Sequence, residues 1–344
     1  MLDLFLRGVS YRHPKSGFIL DDITLDFPRG EHSAVIGLPS SGVSTLLRII
    51  AGDLQPARGD VIIGTRRVNG LPASRRPLLF LTGALLLPGR WSVQHALVAA
   101  VRTRSLDRQD RQIEYEQAVE KWSLRGIEPR RLDSLATSER LRVHLARTDL
   151  LRPGIVVADR LLRDANPSEA TALADAIYRL LRATGTTVVS APASLEELRH
   201  ANRVIVIDGG RVVQVGTPAE VHRLPSDPAA ARASGEVNTV PVTIRGTRVE
   251  SAIGTWDVAS PPFQGEGFAL LRPDDFTLAA PGEESDLILA IEEAGFATGR
   301  WHVRGFLTGG MLLHVALPPS ATIHKGRLLP LRFDPGRVLL RPAK

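Results

Sequence analysis

Gly37-Leu38-Pro39-Ser40-Ser41-Gly42-Val43-Ser44-Thr45 follows the apolar run His32-Ser33-Ala34-Val35-Ile36 and precedes Leu46-Leu47-Arg48-Ile49-Ile50-Ala51-Gly52. An apolar run, a glycine-bounded loop and a run with helical apolar spacing, in that order, predict a strand, a tight turn and a helix. A helix that begins behind a glycine loop presents free backbone N–H groups and the positive end of its dipole, so a phosphate would be held here. Loops of this kind carry a lysine just before the Ser-Thr pair, where it reaches the β- and γ-phosphates. In this chain that position is Val43. Read alone, the stretch is equally an ordinary strand-turn-helix, and its surroundings have to decide.

Around it the pattern alternates strands and helices. LDLFLRGVSY (2–11), GFILDDITLDF (17–27) and VIIG (61–64) read as strands. Residues 88–150 read as helical, because 94–103, 110–124 and 138–151 carry apolar residues three or four apart. GIVVAD (154–159) is a buried-strand run ending in an aspartate; a helix over 167–184, the strand TTVVSA (186–191) and RVIVIDGGRVVQVG (203–216), a hairpin with Gly-Gly at its turn, follow. Apolar β-branched strands alternating with helices imply an α/β domain with a mostly parallel sheet covered on both faces. This domain is expected to span 1–225, with a helical subdomain at about 88–150.

Residues 222–236 (HRLPSDPAAARASGE) show no periodic apolar face, and 226–236 reads as a linker. Beyond it the pattern is all strand and turn, with short strands at 8 to 12 residue spacing, as in a small β-barrel or sandwich over 237–344. At 344 residues and 43% hydrophobic content, two well-cored domains fit better than one.

The 43 basic residues exceed the 37 acidic ones, and only Lys15, Lys121, Lys325 and Lys344 are lysines. Such a surface suits nucleic acid, anionic lipid head groups or an acidic partner, but the charges are scattered, as an arginine-rich composition alone would leave them. Cysteine is absent, which excludes a disulfide framework and thiolate metal sites and fits a cytoplasmic protein. No apolar run approaches the roughly 20 residues that span a bilayer.

Motif order carries the decisive information. Tyr11 precedes the glycine loop; LLLPGRWSV (85–93), LATSERLRVHLAR (135–147), IVVADRLLRDANP (155–167) and VIVIDGGRVVQVGTPAEV (204–221) follow. This succession resembles the ATP-binding-cassette (ABC) family of transporter nucleotide-binding subunits over residues 2–225. The most specific matches are DDITLDFPRGEHSAVIG (21–37), STLLRIIAGDLQPARGDVIIG (44–64), RVHLAR (142–147) and the closing phrase at 204–221. The resemblance implies a P-loop fold, ATP with magnesium as cofactor, and a head-to-tail dimer in which each nucleotide lies between one phosphate loop and the other subunit's signature.

Laid onto this chain position by position, the family's chemistry is largely replaced. The phosphate-loop lysine falls at Val43, and the loop-interior glycine at Ser40 beside Pro39, which has no N–H to offer. The magnesium-sensing glutamine falls at Thr82. The LSGGQ signature becomes Leu135-Ala136-Thr137-Ser138-Glu139, the water-activating glutamate Arg160, the D-loop aspartate Asn166, and the switch histidine Pro192, or Ala191 with one residue inserted. No catalytic residue is assigned. Candidate nucleotide-binding residues are Tyr11, which could stack on adenine, Gly37, Gly42, Ser44 and Thr45; Ser44 and Asp159 are the magnesium-side groups, should ATP bind.

The expectation is therefore a non-hydrolysing subunit. It would pair with a second, intact ABC ATPase, couple to two membrane-spanning permease subunits through the region around 82–125, and serve a substrate-binding protein indirectly. Its place would be peripheral, on the cytoplasmic face of the inner (plasma) membrane. The alternative is a regulatory pseudo-ATPase outside the cassette dimer. PSDPAAARASGEVNTVPVTI (225–244), ALLRPDDFTL (269–278) and LRFDPGRVLLRP (331–342) resemble the regulatory, oligonucleotide-binding-like (OB-like) domain of importers for sugars, polyamines, ferric iron or sulfate. Arg272-Pro273-Asp274-Asp275 reads as a charged turn or a substrate-sensing site. With few aromatics and no basic stripe in this domain, no nucleic-acid partner is expected.

Overall fold

The computed structural model describes residues 2–13, 17–280, 282–324 and 326–343. The chain divides into two compact units, with the break after Val221.

In the first unit, in chain order, come β1 (Leu4–His13), β2 (Gly17–Phe27), β3 (His32–Ile36), α1 (Val43–Ala51), β4 (Arg58–Ile63), β5 (Arg66–Arg67), β6 (Leu79–Thr82), α2 (Val93–Val101), α3 (Arg108–Lys121), α4 (Thr137–Leu151), β7 (Ile155–Asp159), α5 (Pro167–Ala183), β8 (Thr187–Ala191), β9 (Arg203–Asp208) and β10 (Arg211–Gly216), with α6 (Pro218–Arg223) at its end. Strands β2-β1-β4-β5 form one antiparallel sheet. The second sheet has the order β10-β9-β3-β8-β7-β6 and is parallel from β9 to β6, with β10 antiparallel at its edge. β3, β7 and β8 carry no large polar alternation because parallel strands buried on both faces read as continuous apolar runs. The Gly-Gly hairpin forms as expected: Gly209 and Gly210 sit at φ 52° and 78° between β9 and β10, the left-handed pair that such a two-residue turn requires.

Helix α1 closes one face of the parallel sheet. Val43, Leu46, Leu47, Ile49 and Ile50 pack with Leu4, Val35, Val157 and Ile205, so the helix behind the glycine loop is held by the core on which both sheets converge. Its last turn is finished by a residue far along the chain. Arg76 is 4% exposed and donates to the Ile49, Ile50, Leu71 and Asn69 carbonyl oxygens at 2.6, 2.7, 3.1 and 3.3 Å. The guanidinium fork thus satisfies carbonyls that the helix end leaves open and meets the negative end of its dipole. Arg76→Ala is expected to cost about 3 kcal/mol of unfolding free energy, with Arg76→Lys recovering little because one ammonium cannot span four acceptors; denaturant unfolding of both variants measures it. Helices α2, α3 and α4 occupy the stretch read as helical and share a second core with α5, built on Leu97, Trp122, Leu145, Leu150 and Leu181.

The stretch 226–236, expected as a linker, is folded into the second unit. It contains helix α7 (Pro228–Ala233), with Asp227 accepting the Ala230 N–H at 2.8 Å and Ala229, Ala230, Ala231 and Ala233 buried. An all-alanine face shows no large-residue periodicity, yet small side chains let a helix pack closely, so the apolar pattern was invisible rather than absent. The remaining strands are β11 (Asn238–Arg245), β12 (Arg248–Ser251), β13 (Gly254–Asp257), β14 (Gly265–Leu271), β15 (Phe276–Leu278), β16 (Leu287–Ala297), β17 (Arg300–Leu307), β18 (Leu312–Leu317), β19 (Leu328–Phe333) and β20 (Leu339–Pro342). They form two five-stranded antiparallel sheets, β13-β12-β11-β14-β20 and β15-β19-β16-β17-β18, which line one core around Val240, Leu271, Leu289, Val303 and Leu331. Strands β12 and β13 escape a reading by hydrophobic runs, being four residues each with polar alternation.

Among the described residues no helix is long and apolar enough to cross a membrane.

Candidate functional site

The loop from Gly37 to Gly42 leaves the central strand β3 and enters α1. Gly37 cannot carry a side chain, because a Cβ there would run into Ser41 and the Ile207 carbonyl. Gly42 caps α1 at φ 103°, a left-handed conformation that glycine adopts without steric cost. Ser40 adopts φ 69° although it is not glycine, and Ser41 closes the turn by donating its N–H to the Leu38 carbonyl at 3.0 Å. The loop therefore keeps a left-handed backbone at the position where glycine was expected. Val43 is 5% exposed and lies in the core with the apolar face of α1. Ser44 and Thr45, one position on, are half-buried in the first turn.

The Ser44 hydroxyl donates to Asp159 Oδ1 at 3.2 Å, joining the loop to the end of β7. The strand register brings further predicted positions into one row, Thr82 pairing Asp159 and Asp159 pairing Ala191 at the carboxyl ends of β6, β7 and β8. That edge of a parallel sheet is where such folds place their ligands. Within this row Asp159 faces Ser44, whereas Thr82 is engaged locally. The Thr82 hydroxyl donates to the Ala84 carbonyl at 3.0 Å and accepts the Ala84 N–H at 3.3 Å, closing its own turn. Arg160 sits at φ 44° with its N–H on the Ala191 carbonyl at 2.8 Å. Tyr11, opposite Leu20 on β2, is half-buried and packed against the core around α1.

Positions 135–139 open α4. Glu139 accepts the Ala136 N–H at 2.8 Å, and its other oxygen takes Arg130 Nη1 at 2.7 Å. Arg140 donates to the Thr137 hydroxyl at 3.0 Å and to the Leu135 carbonyl at 3.1 Å. A carboxylate thus already occupies the positive end of this helix. Asn166 caps α5, its Oδ1 accepting from the Ser168 N–H and hydroxyl at 3.2 and 3.1 Å. Ser138 lies across from this cap, lining a surface hollow with Arg142, Ser168 and Glu169.

The loop after Pro192 is organised by a residue that motif reading does not single out. Buried Glu197 accepts the Ala193 and Ser194 N–H groups at 2.8 and 3.2 Å and the Tyr178 hydroxyl at 3.2 Å. The pattern Ser194-Leu195-Glu196-Glu197 is a capping-box sequence, and that was the available signal. Burial pushes the Glu197 carboxyl up and holds the Tyr178 hydroxyl above its ordinary range, the latter helped by the Glu197 charge. Tyr178 stacks on His32 and His200, with ring centroids 4.5 and 4.8 Å apart, and His32 Nε2 meets the Ser190 hydroxyl at 2.7 Å.

In the second unit, Arg272 donates to the Ala231, Glu236 and His222 carbonyls and to the Ser234 hydroxyl at 2.8 to 3.0 Å, while Asp275 accepts the Arg272 N–H at 2.6 Å. The guanidinium stitches the 222–236 stretch to β14, so the Arg272–Asp275 turn spends its charge on folding.

A parallel sheet whose carboxyl edge carries a glycine loop, a Ser-Asp pair and a helical insertion is the α/β P-loop cassette fold. The same fold is found in the dimeric bacterial ABC transporter cassette MJ0796 (TM-score 0.55, 19% identity, covering 62% of this chain and 98% of that one) and in the ADP conformation of the cassette MJ1267 (0.55, 18%, 68% and 98%). Residues 20–161 match the family described as ABC transporter. The chain is 33% identical over 264 residues to the Fe(3+) ions import ATP-binding protein FbpC of Streptomyces avermitilis, covering 76% of each chain. It is 32% identical to the protein of that name from Streptomyces coelicolor, covering 78% of each, and 28% identical to the spermidine/putrescine import ATP-binding protein PotA of Marinobacter nauticus, covering 81% of this chain and 78% of that one. The chain belongs to the ABC transporter family of ATP-binding cassette proteins.

Proposed function

We propose that this chain is an ATP-binding-cassette subunit of an importer that does not hydrolyse ATP at its own phosphate loop. It acts beside a second, catalytically intact cassette. The observation that carries this reading is Val43, packed in the core where the family's lysine would reach the β- and γ-phosphates. Arg160 in place of the water-activating glutamate and the carboxylate of Glu139 at the amino end of α4 support it, since a second negative charge repels the phosphate a partner would present there.

ATP and magnesium fit the site only in part. The Ser44–Asp159 pair supplies oxygen donors of the kind magnesium takes, and the loop N–H groups and Tyr11 suit a nucleotide; no cation replaces the lysine at position 43. Nucleotide held here would be weakly bound, through Tyr11, Gly37, Gly42, Ser44, Thr45 and Asp159. In this reading, which the import names of its relatives support, the chain is peripheral to the cytoplasmic face of the inner membrane, docked on two permease subunits and served by a substrate-binding protein. The second unit takes the part of an OB-like regulatory domain.

Co-expression with neighbouring transporter genes and purification in detergent tests the proposal. The expected product is one copy of this chain with one intact cassette on two permease subunits. Isolation as a soluble homodimer without permease would overturn it, and recovery on a transporter that already holds two intact cassettes would make the chain a regulatory module instead.

A further inference from the structure

We propose that Glu236, His302 and His314 form a binding site for a divalent transition-metal ion in the second unit. One donor atom from each lies within 4.8 Å of the others. Antiparallel pairing of β17 and β18 sets His302 opposite Ala316 and Arg304 opposite His314, so the two histidines are diagonal neighbours on one face of the sheet. His302 Nδ1 and His314 Nε2 face each other at 3.3 Å.

Their hydrogen-bond partners identify the protons. The Thr298 hydroxyl donates to the Ala297 carbonyl at 2.8 Å, so its contact with His302 Nε2 at 3.4 Å leaves it as acceptor and places the His302 proton on Nε2. Glu236 accepts only, and its oxygen 2.7 Å from His314 Nδ1 places that proton on Nδ1. The two nitrogens that face each other are then both lone pairs, an arrangement that calls for a cation between them. A separation of 3.3 Å is also that of two imidazole ligands on one ion at about 2.0–2.1 Å in tetrahedral geometry. Charge-assisted hydrogen bonds are shorter, about 2.7–2.9 Å for the N–H···O kind, which disfavours a shared proton as the occupant.

The surroundings hold the set in place. Buried Asn238 brackets the His314 backbone, accepting its N–H at 2.8 Å and donating to its carbonyl at 2.7 Å, and Arg272 holds the Glu236 carbonyl at 3.0 Å. Hydrogen bonds that fix ring tautomer and ligand backbone are the outer-shell support metal sites use. Glu236 stays on His314 Nδ1 as the outer-shell carboxylate, where its charge offsets that of the ion. Arg304, the cation opposite His314, lies 4.0 Å from Glu293 on β16. Two imidazole ligands, one backed by a carboxylate, select ions such as Zn²⁺, Co²⁺ or Ni²⁺ over Mg²⁺ or Ca²⁺. A bound ion would clamp the stretch entering β11 onto the β17–β18 pair.

The test is titration of the full, tag-free, chelator-treated chain with Co²⁺, read by its visible ligand-field band, followed by displacement with Zn²⁺ and by calorimetry with Zn²⁺. One equivalent should bind, His302→Gln and His314→Gln should each weaken it by about 100-fold or more, and Zn²⁺ should raise the melting temperature of the wild type but not of the variants. No saturable binding up to millimolar metal overturns the site. So does Zn²⁺ or Co²⁺ binding that the double variant His302→Gln/His314→Gln retains, since the ion would then sit on other histidines. Circular dichroism of the variants confirms that they fold.

Discussion

Phosphate release from ATP by the purified chain is expected at the background rate, and Asp159→Ala is expected to leave that rate unchanged. A general base typically contributes 10²- to 10⁴-fold, and one electrostatic donor to the transition state about 10²- to 10³-fold. In the proposed reading the positions of those groups hold Arg160, Pro192 or Ala191, and Val43. Their losses need not multiply, but one or two such factors remove most of the turnover. The geometry also limits repair. Val43→Lys would pull a charged side chain out of a core position, and the Arg160 backbone is tied to the Ala191 carbonyl. Val43→Lys/Arg160→Glu is therefore expected to stay inactive as a homodimer, because the facing α4 end still presents Ala136 and the Glu139 carboxylate. Turnover that disappears with Asp159→Ala would mean that unfamiliar residues do the chemistry, and the proposed role would fall.

The first unit should lose stability steeply below pH 6.5. His32 and His144 are 7% and 1% exposed. Burial lowers His32 from 6.5 to about 4 and His144 from 6.5 to about 3, with the charges of Arg147 and Arg140 adding to the burial of His144. In the unfolded chain both rings take up a proton near 6.5, whereas folded they do so only at those lower values. Between 6.5 and 4 the unfolded state binds more protons, so stability is complete above 6.5 and falls as the pH drops. At pH 4 each ring accounts for on the order of 3 kcal/mol, a large share of a typical domain's margin. Glu197, raised by burial, works in the opposite sense, so single variants separate the contributions. Denaturant unfolding of wild type, His32→Gln and His144→Gln at pH 7, 5.5 and 4.5 reads the slope of stability against pH. Each variant should flatten it, and an equal slope in all three would contradict the assignment.

Much of the first unit is legible without coordinates because its signals are local. The β9–β10 hairpin is written in Gly209-Gly210, and β7 in an apolar run with an aspartate at its end. The identities of Val43, Arg160 and Glu139, on which the proposed role rests, are likewise plain from position alone. Short elements and a helix faced with small residues are what escape. Helix α7 buries alanines, β12 and β13 alternate in four-residue pieces, and the stretch read as a linker belongs to the second unit. Glu197 and Arg76 carry their weight through partners far away in the chain, and no spacing rule announces those.

Residue order alone establishes that the phosphate loop has no lysine, that the strand aspartate is followed by Arg160, and that no cysteine is available to bind metal. These are statements of identity, complete before the chain folds. Where the side chains point is a tertiary matter: Val43 into the core, Glu139 onto the Ala136 N–H, Ser44 onto Asp159, and Glu236 beside two histidines on neighbouring strands. Side-chain direction and partnership depend on packing between segments distant in sequence. Local propensity does not encode such packing, so the valine at position 43 is visible in the string of residues, while its burial in the core is visible only in the fold.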